Sequence, residues 1–401
     1  MQTELLGESF CQPTEAELSH HVWAKNAPLL YDSLVTHQLD FPSLTCQFLP
    51  LIDSSNLSTL QTQKAVIGSQ APPGESLTQL MILRLKTPGP SLKSRQSAPF
   101  SIIKPENSVL KPGFNCIQVE TRIAHSGDVN RARCCPGAYN LIATKSSDSN
   151  LYVFDYSKHP PTPKTPNPEP LLTLAGHSAQ GFGLDWAPSG HRVISASNDG
   201  LGLLWDLEKF AYLPSRPTED IAYSEKLLEK SFGLNEARFH WASPELTALA
   251  GEDGEISLVD LRTPKPPSCT FQSGKEVFAI DFSPAVETSF LSAGAEGEIK
   301  LWDMRLNSKP IHIFSGHTGN VLKAQWNPKS NSLFASSSTD KSIIIWDCHS
   351  LKPIFIHKGH FGAPNDFDWN AYAPLGILSV DEENSLQLFE VDSDLFVEES
   401  L

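Results

Sequence analysis

The chain has 401 residues, 40% of them apolar and 19% charged, enough to build a core, which excludes wholesale disorder. Lys and Arg number 31 against 46 Asp and Glu, a formal charge of −15. That balance is a poor match to a phosphate backbone and leaves two readings, a solvated acidic surface or a basic partner. The seven cysteines, Cys11, Cys46, Cys116, Cys134, Cys135, Cys269 and Cys348, include no Cys-x-x-Cys pair. They offer neither zinc nor redox spacing and point to buried thiols in a reducing compartment.

Residues 1–13 carry acids and no basic stretch, so a disordered N-terminus is expected rather than a signal peptide. No run of 18 apolar residues occurs anywhere, so a soluble, intracellular protein without a membrane partner is expected. Thr14 followed by Glu17 forms a capping box. Leu18, Val22, Leu29 and Trp23, Leu30, Leu34 then recur at steps of 4 and 7. The spacing predicts an amphipathic helix over 14–38, kinked or restarted at Pro28 and packed on the flank of the domain. It is either a packing helix only or one wall of a partner groove. His20 and His21 lie on it with no third ligand nearby, so no metal site is expected.

The segments SLTCQFL, KAVIG, QLMILRL and CIQVETRI, between residues 43 and 122, read as strands. Residues 86–112 interrupt them with a basic, Ser/Pro-rich insertion carrying Lys86, Lys93, Arg95, Lys104 and Lys111 against Glu106. A flexible loop is expected there, with nuclear import or phosphorylation left open. Residues 156–170, with six prolines, read as a stiff polyproline-like loop.

From residue 120 to 391 the chain repeats itself. W-D dipeptides stand at Trp205-Asp206, Trp302-Asp303 and Trp346-Asp347, with degenerate copies at Phe154-Asp155, Val259-Asp260 and Phe389-Glu390. Their acids are 51, 54, 43, 44 and 43 residues apart, and about 43 residues is one propeller blade. Seven residues before each lies another acid: Asp148, Asp199, Asp253, Glu296, Asp340 and Glu383. A histidine stands 29 or 30 residues before four of them: His125, His177, His317 and His360. In a WD40 blade such a histidine and turn acid bond through Ser or Thr to the Trp indole, satisfying polar groups that would otherwise be buried bare. His125, Asp148, His177, Asp199, Trp205, His317, Asp340, Trp346 and His360 are therefore read as scaffold. A catalytic His–acid pair would occur once. Six repeats plus one upstream sheet predict an all-β, seven-bladed propeller over 39–391, closed by mixing N- and C-terminal strands. After it, residues 392–401 read either as a frayed tail or as a short helix capped by Asp392 or Ser393, with Leu395 and Phe396 as apolar anchors.

No phosphate-binding glycine loop, nucleophile elbow or His-Glu-x-x-His motif is present. Aromatics do not interleave with a basic stripe, so direct nucleic-acid binding is not expected. No cofactor and no enzyme activity are expected, and binding is the default for a propeller. Trp302-Asp303-Met304-Arg305, with a degenerate copy at Val259-Asp260-Leu261-Arg262, fits the W-D-x-R pattern of substrate receptors of cullin-RING ubiquitin ligases, which keeps that alternative open.

Two segments go beyond generic repeats: VWAKNAPLLYDSLVTHQLDFPSLTCQFLP at 22–50 and DVNRARCCPGAYNLIATKSSDSNLYVFDYSKHP at 128–160. Both closely resemble the retinoblastoma-associated, MSI-type WD40 histone-binding proteins. That family includes the small subunit of chromatin assembly factor 1 and the histone-binding subunit of type B histone acetyltransferase. The resemblance implies a non-catalytic nuclear chaperone or scaffold, with some of it cytoplasmic. The implied partners are histones H3 and H4 and the larger subunits of chromatin assembly factor 1 or of an acetyltransferase or deacetylase complex. It also implies a groove for a histone H4 helix lined by Leu29, Leu30, Leu34, Phe355, Ile356, Leu395 and Phe396. On the propeller's top face it implies a peptide site at Asp128, Asn130, Gln180, Phe182, Asn235, Asn320 and Glu382. Two departures stand out. The family's long acidic loop before Phe355 is cut to residues 348–353, and Gln180, Phe182, Asn235 and Asn320 replace acids or a Tyr. Weaker binding of basic tails, or reliance on a partner subunit, is expected.

Overall fold

The computed structural model describes residues 15–53, 60–71, 78–88, 116–208, 222–263, 267–306 and 309–396. The expected disordered residues 1–13, Thr14 of the capping box, most of the basic insertion and the end of the tail lie outside them.

Seven four-stranded antiparallel sheets make the propeller. Blade 1 is Cys46–Asp53, Leu60–Gly68, Gln79–Pro88 and Ile117–Ala124. Blade 2 is Val129–Cys134, Leu141–Ser146, Leu151–Asp155 and Leu172–Leu174, and blade 3 is Gly183–Trp186, Arg192–Ala196, Leu201–Asp206 and Glu225–Glu229. Blade 4 is Leu234–Phe239, Leu246–Gly251, Glu255–Asp260 and Cys269–Gln272, and blade 5 is Val277–Phe282, Ser289–Gly294, Glu298–Asp303 and His312–Ser315. Blade 6 is Val321–Trp326, Leu333–Ser338, Ile343–Asp347 and Lys352–His357. Blade 7 takes Pro364–Trp369, Gly376–Asp381 and Ser385–Val391 from the C-terminal end and its outer strand, Tyr31–Gln38, from the N-terminal end. The ring is thus closed by both ends of the chain, and each W-D segment is a third strand, as the repeat predicts.

The expected helix over 14–38 is corrected by this closure. The α-helix spans only Glu15–Asn26, and a 3-10 turn follows at Ala27–Leu29 with Pro28 in its first positions. Proline has no N–H to continue an α-helix. Residues 31–38 are strand, pairing from Tyr31 with Val391 to Gln38 with Ser385. A bulge between Tyr31 and Ser33 inserts one residue, so Tyr31 and Leu34 both point inward at a spacing of three. That bulge produces the helix-like period.

The hydrophobic core lies between blades. One cluster joins blades 2 and 3 through Leu151, Val153, Trp186 and Trp205, and another joins blades 5 and 6 through Phe314, Trp326, Phe334 and Trp346. In six blades the residue after the turn acid is left-handed: Ser149, Gly200, Gly254, Gly297, Lys341 and Asn384. The acid's carboxylate then accepts the N–H two residues on, as Asp199 does from Leu201 and Asp340 from Ser342.

The scaffold network forms in full in two blades. In blade 3, His177 Nε2 lies 2.8 Å from Ser195 Oγ, Trp205 Nε1 donates to the same oxygen at 2.8 Å, and Asp199 holds His177 Nδ1 at 3.1 Å. In blade 6, His317, Ser336, Trp346 and Asp340 repeat it at 2.7, 2.8 and 2.8 Å. Two blades depart from the expectation. Asp148 accepts from the Tyr152 hydroxyl at 2.7 Å, leaving His125 to a backbone carbonyl and Thr144. In blade 7 the partner of His360 is the fully buried Asp381, two residues before Glu383, at 2.8 Å.

Candidate partner-binding surfaces

The short helix is latched to the ring by aromatic side chains. Trp23 Nε1 donates to the Tyr31 hydroxyl at 2.9 Å, and that hydroxyl lies 2.7 Å from His357 Nδ1. His357 Nε2 lies 3.0 Å from Gln387 Oε1, and Gln387 Nε2 donates to the Gly359 carbonyl at 2.7 Å. A single tautomer satisfies this chain: His357 carries its proton on Nε2, and Tyr31 donates to Nδ1. Burial keeps His357 neutral and pushes the Tyr31 phenol up. His20 stacks on Phe361 at 4.0 Å between ring centres, and His357 stacks on Phe389 at 4.1 Å. His20 is therefore an aromatic latch residue.

The latch separates the expected groove residues into floor and rim. Leu34 and Phe355 are buried, 3% and 8% exposed, in a cluster with Ala27, Tyr31 and Phe389. Phe355 meets the Tyr31 ring edge-on at 5.4 Å, and Leu30 packs partly buried against the same cluster. These three residues are floor, and Leu34 belongs to the core strand rather than to a helix wall. Leu29, Ile356 and Leu395 are exposed, Leu29 at 73% and Ile356 at 44%. Asp392 N donates to the Leu30 carbonyl, which sets the 3-10 turn Ser393–Phe396 beside the helix end. The Phe396 side chain lies outside the described residues. Val22 and Phe361, exposed at 59% and 56%, extend the apolar rim and were not singled out in the sequence.

The opposite wall is cut away, as the sequence indicates. Blade 6 joins its third and fourth strands by a tight turn at 348–351 that leaves Leu351 left-handed at φ 60°. Asp347 caps it through the N–H groups of His349 and Ser350. The strand after it is basic at its edges, with Lys352 and Lys358 flanking Ile356 and all three exposed.

The expected top-face residues divide as well. Asn130 and Asn235 are buried and clasp neighbouring blades: Asn130 Nδ2 donates to the Gly181 carbonyl at 3.2 Å, and Asn235 Nδ2 donates to Val277 O at 3.1 Å. Phe182 is half-buried, and its carbonyl accepts from Arg131 Nε. Asp128, also half-buried, accepts from Ala71 N. Gln180, Asn320 and Glu382 are exposed. Sequence reasoning missed the acids that remain on this face. Glu252 accepts from Gly233 N and Glu276 from Asn235, while Glu296 pairs with Lys300. They fill turn positions and carry no motif.

Inside the ring, first strands bring charge together out of water. Asp366 accepts from Lys323 Nζ at 2.6 Å, Arg133 Nη1 at 3.2 Å, Thr45 Oγ1 at 3.2 Å and Cys46 N at 2.9 Å, with Arg131 at 3.8 Å. One carboxylate thereby ties blade 7 to blades 6, 2 and 1. Burial opposes its charge, but the three cations hold it well below the usual carboxylate range. The W-D-x-R arginines, both exposed, turn back on their own acids: Arg305 forks onto Asp303 and Arg262 onto Asp260.

Two family models match the chain. One, described as the EIPR1 beta-propeller, covers residues 115–346. The other, described as histone-binding protein RBBP4 or its counterpart in the CAF1 complex, covers residues 19–89, the segment holding the latch helix, the closing strand and most of blade 1.

Proposed function

The chain is an RBBP4/MSI-like WD40 protein whose ring belongs to the EIPR1 beta-propeller family, and on that footing we propose that it is a non-catalytic histone-binding scaffold. The observation that carries this reading is the apolar rim of Val22, Leu29, Ile356 and Leu395 around a helix that is itself fixed to the ring. An amphipathic guest helix would lay apolar anchors on that rim, and the chain's −15 charge would oppose loss of a basic guest to DNA.

The finer reading is a component of the chromatin assembly factor 1 type, holding histones H3 and H4 in the nucleus during replication-coupled nucleosome assembly. The turn at 348–351 and the lysines at 352 and 358 give a basic guest less than a full acidic wall would. A larger subunit of the assembly would supply the missing side. Membership of an acetyltransferase or deacetylase complex would use the same surfaces. The ligase-receptor reading has less support, because the Arg262 and Arg305 forks are each engaged by a neighbouring carboxylate.

The test is retention of purified H3–H4 on the immobilised full chain at about 0.15 M salt, with and without a partner subunit. Retention that rises when the partner is added supports the scaffold. Absence of retention in both cases overturns it.

A further inference from the structure

The Pro-rich segment between the third and fourth strands of blade 2 has a chemistry that histone binding does not use. Its sequence, Pro160-Pro161-Thr162-Pro163-Lys164-Thr165-Pro166, places the pattern Pro-x-Thr-Pro twice in succession. Both threonines are exposed. The segment is irregular and is held off the ring, its Pro161 carbonyl accepting from Arg122 N on the outer strand of blade 1 at 3.0 Å. Between that strand and the segment lies a cavity of about 170 Å³, lined among others by Lys158, His159, Lys164, Thr165 and Asn167. The Thr165 hydroxyl makes one long bond, 3.4 Å, to the Asn167 carbonyl, so little holds it in place. Lys158 reaches Asp155 at 3.1 Å and is 65% exposed, while Lys164 makes no ion pair among the described residues.

We propose that Thr165 is a phosphorylation site for a proline-directed protein kinase, and that its phosphate is received in this cavity by Lys158 and Lys164. Proline fixes φ and has no N–H, so a kinase pocket that offers no acceptor to the residue after the hydroxyl selects proline there. An exposed segment already kept out of helix and sheet by its prolines enters such a cleft without unfolding a blade. In the transfer the Thr165 oxygen bonds to the γ-phosphorus of ATP as the bond to the β-phosphate oxygen breaks. ADP leaves with that electron pair, and the hydroxyl proton goes to the kinase's base. The product adds close to two negative charges and three acceptor oxygens beside two ammonium groups. Thr162, whose neighbour's carbonyl is tied to blade 1, is the secondary site.

The experiment treats the full chain with a purified proline-directed Ser/Thr kinase and Mg·ATP and maps phosphate by mass spectrometry. A synthetic peptide of residues 156–170 is run in parallel. Phosphate on Thr165 of the folded chain, lost in Thr165→Ala and kept in Thr162→Ala, is the expected result. Phosphorylation of the peptide but not of the folded chain overturns the proposal, and so does absence of Thr165 phosphate from both. Reception by the cavity is read separately by ³¹P titration. The phosphothreonine should lose its second proton below its usual value of about 6 and return to it in Lys158→Ala/Lys164→Ala. Identical titration of the two proteins overturns the capture.

Discussion

The sharpest perturbation separates the rim from the floor. Leu29 exposes 73% of its surface and Ile356 exposes 44%, so both are spare contact area in the free protein. Fully burying a Leu or Ile side chain stabilises by about 1.5–3 kcal/mol, so covering these fractions yields roughly 1–2 kcal/mol for Leu29 and about 1 for Ile356. Leu29→Ala/Ile356→Ala should therefore weaken binding of an H3–H4 tetramer by about 2–3 kcal/mol, a 30- to 150-fold rise in Kd. Neither side chain is in the core, so the melting midpoint should stay within about 0.5 kcal/mol of wild type. Leu34→Ala is the counterpart. It empties a site that is 3% exposed and should cost about 2–5 kcal/mol of folding stability. Titration calorimetry with folded protein and urea unfolding of all three proteins give both readings. Wild-type affinity in the double variant would refute the rim as a docking surface, whatever the floor does.

Asp366→Ala should cost about 3–5 kcal/mol in urea unfolding, because it leaves Lys323 and Arg133 buried and unpaired. Removing the blade 3 hydroxyl with Ser195→Ala orphans both Trp205 Nε1 and His177 Nε2, and the urea midpoint should fall by about 1–3 kcal/mol. The same histidine predicts a pH dependence. Burial and the Lys145 ammonium push His177 down to about 4 from 6.5, so below pH 6.5 the unfolded chain binds a proton that the folded one refuses. Its contribution is complete above about 6.5 and falls by up to about 3 kcal/mol as pH drops to 4. His177→Asn, unable to titrate, should show a correspondingly flatter stability profile over that window. Equal slopes for the two proteins would refute the assignment.

Legibility in the sequence followed the physics of each feature. A blade's turn acid, histidine and tryptophan sit at fixed offsets because strands of fixed length separate them, so six blades could be counted from three marks. The network in blade 7 was misplaced by two residues because Asp381 and Glu383 both lie in the same turn, and only burial distinguishes them. Residues 31–38 were misread because a bulge gave a strand the spacing of a helix. Tyr31, Trp23, His357 and Gln387 carry no motif, since a hydrogen-bonded chain between residues 326 positions apart leaves no local signature. The top-face asparagines looked like readers of a peptide because their positions were right. Their amides are committed to carbonyls of the next blade.

That commitment bears on where a guest can bind. Asn130 and Asn235 could engage a peptide only by giving up bonds that hold adjacent blades together, and a buried donor left bare costs about 1–3 kcal/mol. The exposed top-face acid Glu382 accepts from a backbone N–H, and Glu296 pairs with a lysine, so part of their charge is already answered within the chain. The rim beside the helix has no such prior claims: its exposed side chains are aliphatic, and covering them breaks no hydrogen bond. On energetic grounds the flank is therefore the primary docking surface and the top face secondary. The lysines at 352 and 358 oppose a basic guest on that flank. Neutralising them with Lys352→Gln/Lys358→Gln should tighten H3–H4 binding, with a gain that shrinks as salt is raised.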